Sequence, residues 1–167
     1  MEVLKPTSTQ IGAIAENLVV NALVLRSRGR FAPFSPFADG EGIDVLVYDK
    51  VTGSVIPLQV KARTVALKKR KSEDRGNIVH FEVREVAMRK NRRTYLLAVL
   101  LGQQATIIDT AWLIPLAKLE AIARKQGTKY VIRAKRSATS SDKFHPYFCE
   151  SIQSLVDRLT KLFAGGA

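Results

Sequence analysis

Apolar residues recur at helical spacing through Ile11, Ile14, Ala15, Leu18, Ala22 and Leu25, and then give way to strand-like runs. Thr7 and Gln10 stand at capping-box spacing ahead of the helical stretch, which predicts a helix to about Ser27. Arg30–Phe37 is aromatic and broken by prolines, the pattern of a short edge strand. Ile43–Tyr48 and Val55–Lys61 are two runs of strand formers joined by Asp49–Gly53, which reads as a β-hairpin. Ile78–Val83 alternates as a strand does. Tyr95–Leu101 is almost continuously apolar, as expected of a central strand covered on both faces. Gln103 and Gln104 turn the chain into a strand at Ala105–Asp109. Trp112–Pro115 then leads into a helix, Leu116–Lys125, stopped by Gly127. A short strand at Tyr130–Arg133 and a helix at about Glu150–Phe163 complete the pattern. Glu85–Lys90 reads as a helical turn. Thr64–Asn77 and Ala134–Lys143 lack apolar periodicity and read as loops.

Three polar residues interrupt the first hairpin. Gln59 and Lys61 are two apart on the second strand and therefore share a face, while Leu58 and Val60 point the other way. With the turn near Asp49–Gly53, Asp44 falls opposite the Gln59–Lys61 end. An acid, an amide oxygen and an ammonium group then converge on one patch. Such a set can hold a divalent cation and bring positive charge to a phosphate. Glu16 is the only charged residue between Lys5 and Arg26, and it stands among small and apolar neighbours. It reads either as a carboxylate reaching solvent or as one with a buried partner. Asp39 and Glu41, just before the hairpin, read as turn residues.

The charge changes this picture. The chain has 167 residues and a formal net charge of +12. Residues 1–60 hold five basic and six acidic side chains, residues 61–93 hold twelve and four, and residues 94–167 hold ten and five. The positive field therefore begins at Lys61 and follows the hairpin. A polyanionic partner is the natural reading, nucleic acid above all, with a solvated basic surface as the plain alternative. Lys68, Lys69, Arg70, Lys71 and Arg75 in the first loop, and Arg136 in the second, are the candidate phosphate contacts. The lone Cys149 excludes an internal disulfide and a cysteine-built zinc site, in keeping with a reducing, cytoplasmic setting. No apolar run reads as long enough to span a bilayer, and MEVLKPTSTQ does not read as a signal peptide.

The order of a helix bearing Glu16, a hairpin bearing Gly42-Ile43-Asp44, and then Gln59-Val60-Lys61 resembles the PD-(D/E)xK nuclease superfamily. It is most similar to Mrr-like and Holliday-junction-resolvase-like members. Fourteen residues separate Asp44 from Gln59. The resemblance covers about residues 8–110, with 111–167 as an α/β extension of one domain spanning 1–167. It implies a restriction-endonuclease-like, three-layer α/β/α fold with a central mixed sheet. It implies that Asp44 is the metal-binding aspartate, that Gln59 stands where a second acid usually stands, that Lys61 is the catalytic lysine and that Glu16 is the helix acid completing the site. The ion would be Mg²⁺ or Mn²⁺, and the substrate DNA. There is no Pro-Asp dipeptide, and glutamine brings less charge to the ion than an acid would.

Three functions follow from these residues. The first is a metal-dependent endonuclease, for which double-strand cutting would call for a homodimer. The second is a catalytically inactive DNA- or RNA-binding module on the same fold. The third is an interaction protein whose basic face meets an acidic partner. No residue reads as a base-recognition element.

Overall fold

A computed structural model of the chain describes residues 5–36, 42–65, 77–87, 93–102 and 104–165. Helix α1, Ser8–Arg26, starts where the cap predicts. The Thr7 hydroxyl accepts from the Gln10 N–H at 3.2 Å, and the Gln10 side chain accepts from the Thr7 N–H at 2.8 Å. These two bonds satisfy helix-end donors that the first turn leaves unpaired. Among the described helices, α1 is the one whose length and composition would suffice to cross a bilayer, which corrects the expectation that no run would. Here its Ala15, Val19 and Leu23 stripe is buried in the protein core.

Strands β1 (Phe31–Phe34), β2 (Val45–Asp49), β3 (Val55–Arg63), β5 (Tyr95–Leu101), β6 (Ile108–Pro115) and β9 (Phe148–Cys149) form a six-stranded sheet in the order β1-β2-β3-β5-β6-β9. Strands β3 and β5 are parallel and every other neighbouring pair is antiparallel, so the central sheet is mixed, as expected. The parallel pair requires a crossover. The chain between them contributes β4 (Ile78–Arg84) to a second, three-stranded sheet with β8 (Lys129–Lys135) and β7 (Arg124–Gln126).

The sheet alternates between two cores. Leu58, Val60, Leu97, Val99 and Leu113 pack with α1 and with α3 (Ile152–Ala164). Leu96, Ala98, Leu100, Trp112 and Ile114 pack with β4, β8 and the short helix α2 (Leu116–Ile122). Strand β5 is thus covered on both faces, which is why its sequence is apolar throughout. The third layer is α2 together with the second sheet.

Two boundaries differ from the sequence reading. The strand expected at Ala105–Asp109 begins at Ile108 and continues to Pro115, because Ala111 and Leu113 serve one core while Trp112 and Ile114 serve the other. Ala105 instead sits in a turn with φ +53°. The helix expected to reach Lys125 stops at Ile122, and Arg124–Gln126 pairs with β8 around a turn at Gly127, where φ is +60°.

One ion pair fastens the hairpin to the edge strand. Arg30 Nε and Nη2 donate to Asp49 Oδ1 and Oδ2, both at 2.7 Å. The Val51 N–H and Thr52 hydroxyl donate to the same fully buried carboxylate at 3.2 and 3.0 Å. The Arg30 guanidinium, above all, holds the Asp49 carboxyl down at about 2.

Candidate active-site cleft

The site follows from where the third layer stops. No residue of β1, β2 or β3 belongs to the core beneath the second sheet. Leu58 and Val60 face the helices, so Gln59 and Lys61 project from β3 toward the side that the third layer leaves open. A cleft of about 960 Å³ lies there. The start of α1 (Ser8, Thr9), the outer face of β3, strand β4 and the turn at Glu85–Ala87 frame it.

Gln59 and Lys61 both line this cleft, as expected from their shared face. Gln59 is only 4% exposed, and its Oε1 is buried with no hydrogen-bond partner among the described residues. A buried amide oxygen left without a donor costs stability, which suggests that something else completes it. Its other end is fixed by close approach. A Cβ on Gly42 would lie 3.0 Å from Gln59 Nε2, and Gly42 has φ +71°, so glycine is needed there on both counts.

Asp44 stands one residue before the Val45–Leu58 register pair, at the Gln59 level of the neighbouring strand. Its N–H donates to the Leu58 carbonyl at 2.9 Å, and its Oδ2 accepts from the Val60 N–H at 2.6 Å. The carboxylate therefore extends the β2–β3 ladder just ahead of the start of β2. Glu16 is half-buried on α1 and is not among the residues lining the cleft. Among the described residues, no three His, Cys, Asp or Glu side chains cluster closely enough to hold a metal ion. Of the expected ligands, Gln59 alone lines the cleft; Asp44 and Glu16 are not among its lining residues. Magnesium takes hard oxygen donors and commonly keeps water and substrate phosphate in its shell, so an amide oxygen is a compatible ligand.

The far wall carries cations that the sequence reading did not single out. Arg63, Arg84 and Lys129 line the cleft with Lys61, against one lining acid among the described residues, Glu82. Arg63 Nε donates to the His80 carbonyl at 2.9 Å. Lys129 Nζ lies 2.8 Å from Glu82 Oε2, and His80 Nε2 lies 3.1 Å from Glu82 Oε1. Lys129 first, then His80, hold the Glu82 carboxyl below the usual carboxylate range. Arg84 and Lys129 are direct register partners across β4 and β8. Like charges placed opposite each other destabilise a sheet, and here Glu82 offsets Lys129. Arg63 was legible, two residues beyond Lys61 on the same strand face. Arg84 and Lys129 were not, because their pairing is long-range.

The other candidates fall elsewhere. Arg136 Nη1 is 3.1 Å from Asp109 Oδ2, and Arg136 does not line the cleft. Its backbone N–H donates to the Asn77 carbonyl, which puts it where the first basic loop ends. Lys68, Lys69, Arg70, Lys71 and Arg75 lie outside the described residues, as do Asp39 and Glu41.

A Gln59→Glu variant adds a charge at the proposed metal position. It should tighten Mn²⁺ binding on the order of tenfold by calorimetry. Unchanged affinity would remove Gln59 from the ligand set.

Among solved structures, the chain is similar to a bacterial homing endonuclease, I-Ssp6803I, with a TM-score of 0.55 at 15% identity over 96% of each chain. It also aligns with Hjc, a Holliday junction resolvase from the archaeal hyperthermophile Archaeoglobus fulgidus, with a TM-score of 0.46 at 9% identity over 81% of this chain and 96% of that one. No protein-family model matches the sequence, and no curated protein does. The likeness to the homing endonuclease shows a shared fold, with the central mixed sheet that the hairpin motif implied.

Proposed function

We propose that the protein is a metal-dependent endonuclease that hydrolyses DNA phosphodiester bonds in the β3 cleft. The observation that carries this reading is the orphaned, buried Oε1 of Gln59, in a cleft that also holds Lys61 and three further cations. The fold shared with the homing endonuclease supports it.

Asp44 and Gln59 would hold the divalent ion, with Glu16 of α1 as the third ligand that the motif implies. When bound, the ion would act as a Lewis acid on the phosphoryl group and make a water more acidic. Lys61, two residues from Gln59 on the same face, offsets negative charge developing on the phosphoryl oxygens and orients the attacking water. Arg63, Arg84 and Lys129 hold the flanking phosphates, which positions the strand without reading its sequence. A neutral amide in place of a second acid makes binding without cleavage the second reading.

The test is cleavage of supercoiled plasmid and branched DNA with Mg²⁺ or Mn²⁺, beside an EDTA control and a gel shift. Cleavage that needs the metal is expected. DNA retention with no cutting on any substrate would select the binding module, and no retention at low salt would leave the acidic-protein partner.

A further inference from the structure

Beyond the cleft, the outer face of β1, β2 and β3 is apolar and, among the described residues, half-buried to exposed. The register sets Ala32 opposite Tyr48 and Tyr48 opposite Val55, and sets Phe34 opposite Leu46 and Leu46 opposite Pro57. Alternation along β3 puts these six on the same face as Gln59 and Lys61. None of them belongs to either core. Phe34 is 49% exposed, Val55 46% and Tyr48 37%. Phe34 and Tyr48 are diagonal neighbours on adjacent strands, roughly 7–8 Å apart, with their rings on one open surface.

We propose that this face receives unpaired bases of the DNA strand whose backbone lies in the cleft, with Phe34 and Tyr48 as the stacking rings. This rests on the reading of the cleft as the phosphate-holding site. The charge distribution selects the occupant. The six side chains carry no charge and, apart from the Tyr48 hydroxyl, no hydrogen-bonding group, which suits the flat faces of bases and not phosphates. Further along the same strand face, Lys61 and Arg63 begin the cationic wall that phosphates require. Pro57 to Lys61 spans four residues, roughly 13 Å at strand rise. That is about four steps of a stacked strand. Base planes are available for stacking only when the bases are unpaired, so the favoured substrate class is DNA with a single-stranded segment beside the cut. A second copy of the chain could also cover an apolar face, but it would bring +12 against +12.

The experiment measures binding in EDTA, so that cleavage plays no part. A labelled single-stranded oligonucleotide and a blunt duplex are compared on wild type, Phe34→Ala, Tyr48→Ala and the ring-keeping variants Phe34→Tyr and Tyr48→Phe. Each alanine variant should lose roughly fivefold to a hundredfold in affinity for the single strand and little for the duplex. The ring-keeping variants should restore binding. In wild type, 2-aminopurine placed in the single strand should be quenched on binding, a readout that needs no variant to fold. Absence of quenching, or equal losses on both DNAs, overturns the proposal. So does a wild-type dimer in sedimentation that Phe34→Ala dissociates without loss of DNA affinity, because the face then belongs to a second copy. Protein that binds and quenches but never cleaves with Mg²⁺ or Mn²⁺ sinks the nuclease reading alone.

Discussion

Lys61→Ala should lower DNA cleavage by roughly 10²–10³-fold or more while the protein folds normally and still binds DNA. Lys61 is only partly buried at the cleft and no core depends on it. Arg63, Arg84 and Lys129 remain to hold the backbone. Asp44 calls for two different substitutions. Asp44→Ala removes the acceptor of the 2.6 Å bond from the Val60 N–H and leaves that backbone donor unpaired beside a buried residue. It should cost about 1–3 kcal/mol of stability as well as activity. Asp44→Asn keeps an acceptor oxygen for Val60 and removes the charge, so it should abolish cleavage with the fold largely intact. The two variants separate the structural role of Asp44 from its proposed catalytic one. Metal-dependent nicking, followed beside thermal melting, decides the matter. A Lys61→Ala protein that cuts like wild type would falsify the mechanism.

The largest stability effect is expected at Arg30. Asp49 is fully buried, and its main partner is the paired guanidinium of Arg30. Arg30→Ala leaves a buried carboxylate with only the Val51 N–H and the Thr52 hydroxyl. It also removes a cation lying 5.8 Å from the centre of the Phe31 ring. Removing one partner of such a pair leaves the other charge uncompensated and destabilises the fold. The pH dependence has a definite sign. The folded-state value of Asp49 is lowered from 3.8 to about 2, so the pair's contribution is present above the unfolded value. It is lost as pH falls through the folded one. Urea melts should show a wide gap between wild type and Arg30→Ala at neutral pH, closing as pH approaches 2. A gap that does not change with pH would mean that Arg30 acts through packing alone.

Local chemistry was legible in the sequence. The Thr7–Gln10 cap, the β2–β3 hairpin and the doubly covered β5 all follow from residues near each other in the chain. The hairpin register brings Asp44 to the level of Gln59 because both flank the same short turn. The misplaced boundary at β6 has a different cause. Trp112–Pro115 is apolar on both faces because two cores meet it, and such a run does not declare whether it is strand or helix approach. Strand β7 is Arg-Lys-Gln, three exposed polar residues with no strand signature, so only pairing with β8 defines it. The cationic wall was hidden for a related reason. Charge density pointed to residues 68–75, whereas Arg84 and Lys129 meet through strands more than forty residues apart. Arg136 lies outside that wall, with its side chain 3.1 Å from Asp109.

Trp112 gives the molecule a built-in reporter. It is the only tryptophan in the chain and is fully buried. Its ring meets Phe81 of β4 edge-on at 5.8 Å and Phe148 of β9 at 5.5 Å. Phe81 also lines the cleft. Intrinsic fluorescence therefore monitors the seam where the second sheet seats on the first, not the helix side. If DNA entry pries β4 away from the central sheet, the indole emission will shift toward the red on binding. If the wall stays seated, the emission will hold its colour through a full titration.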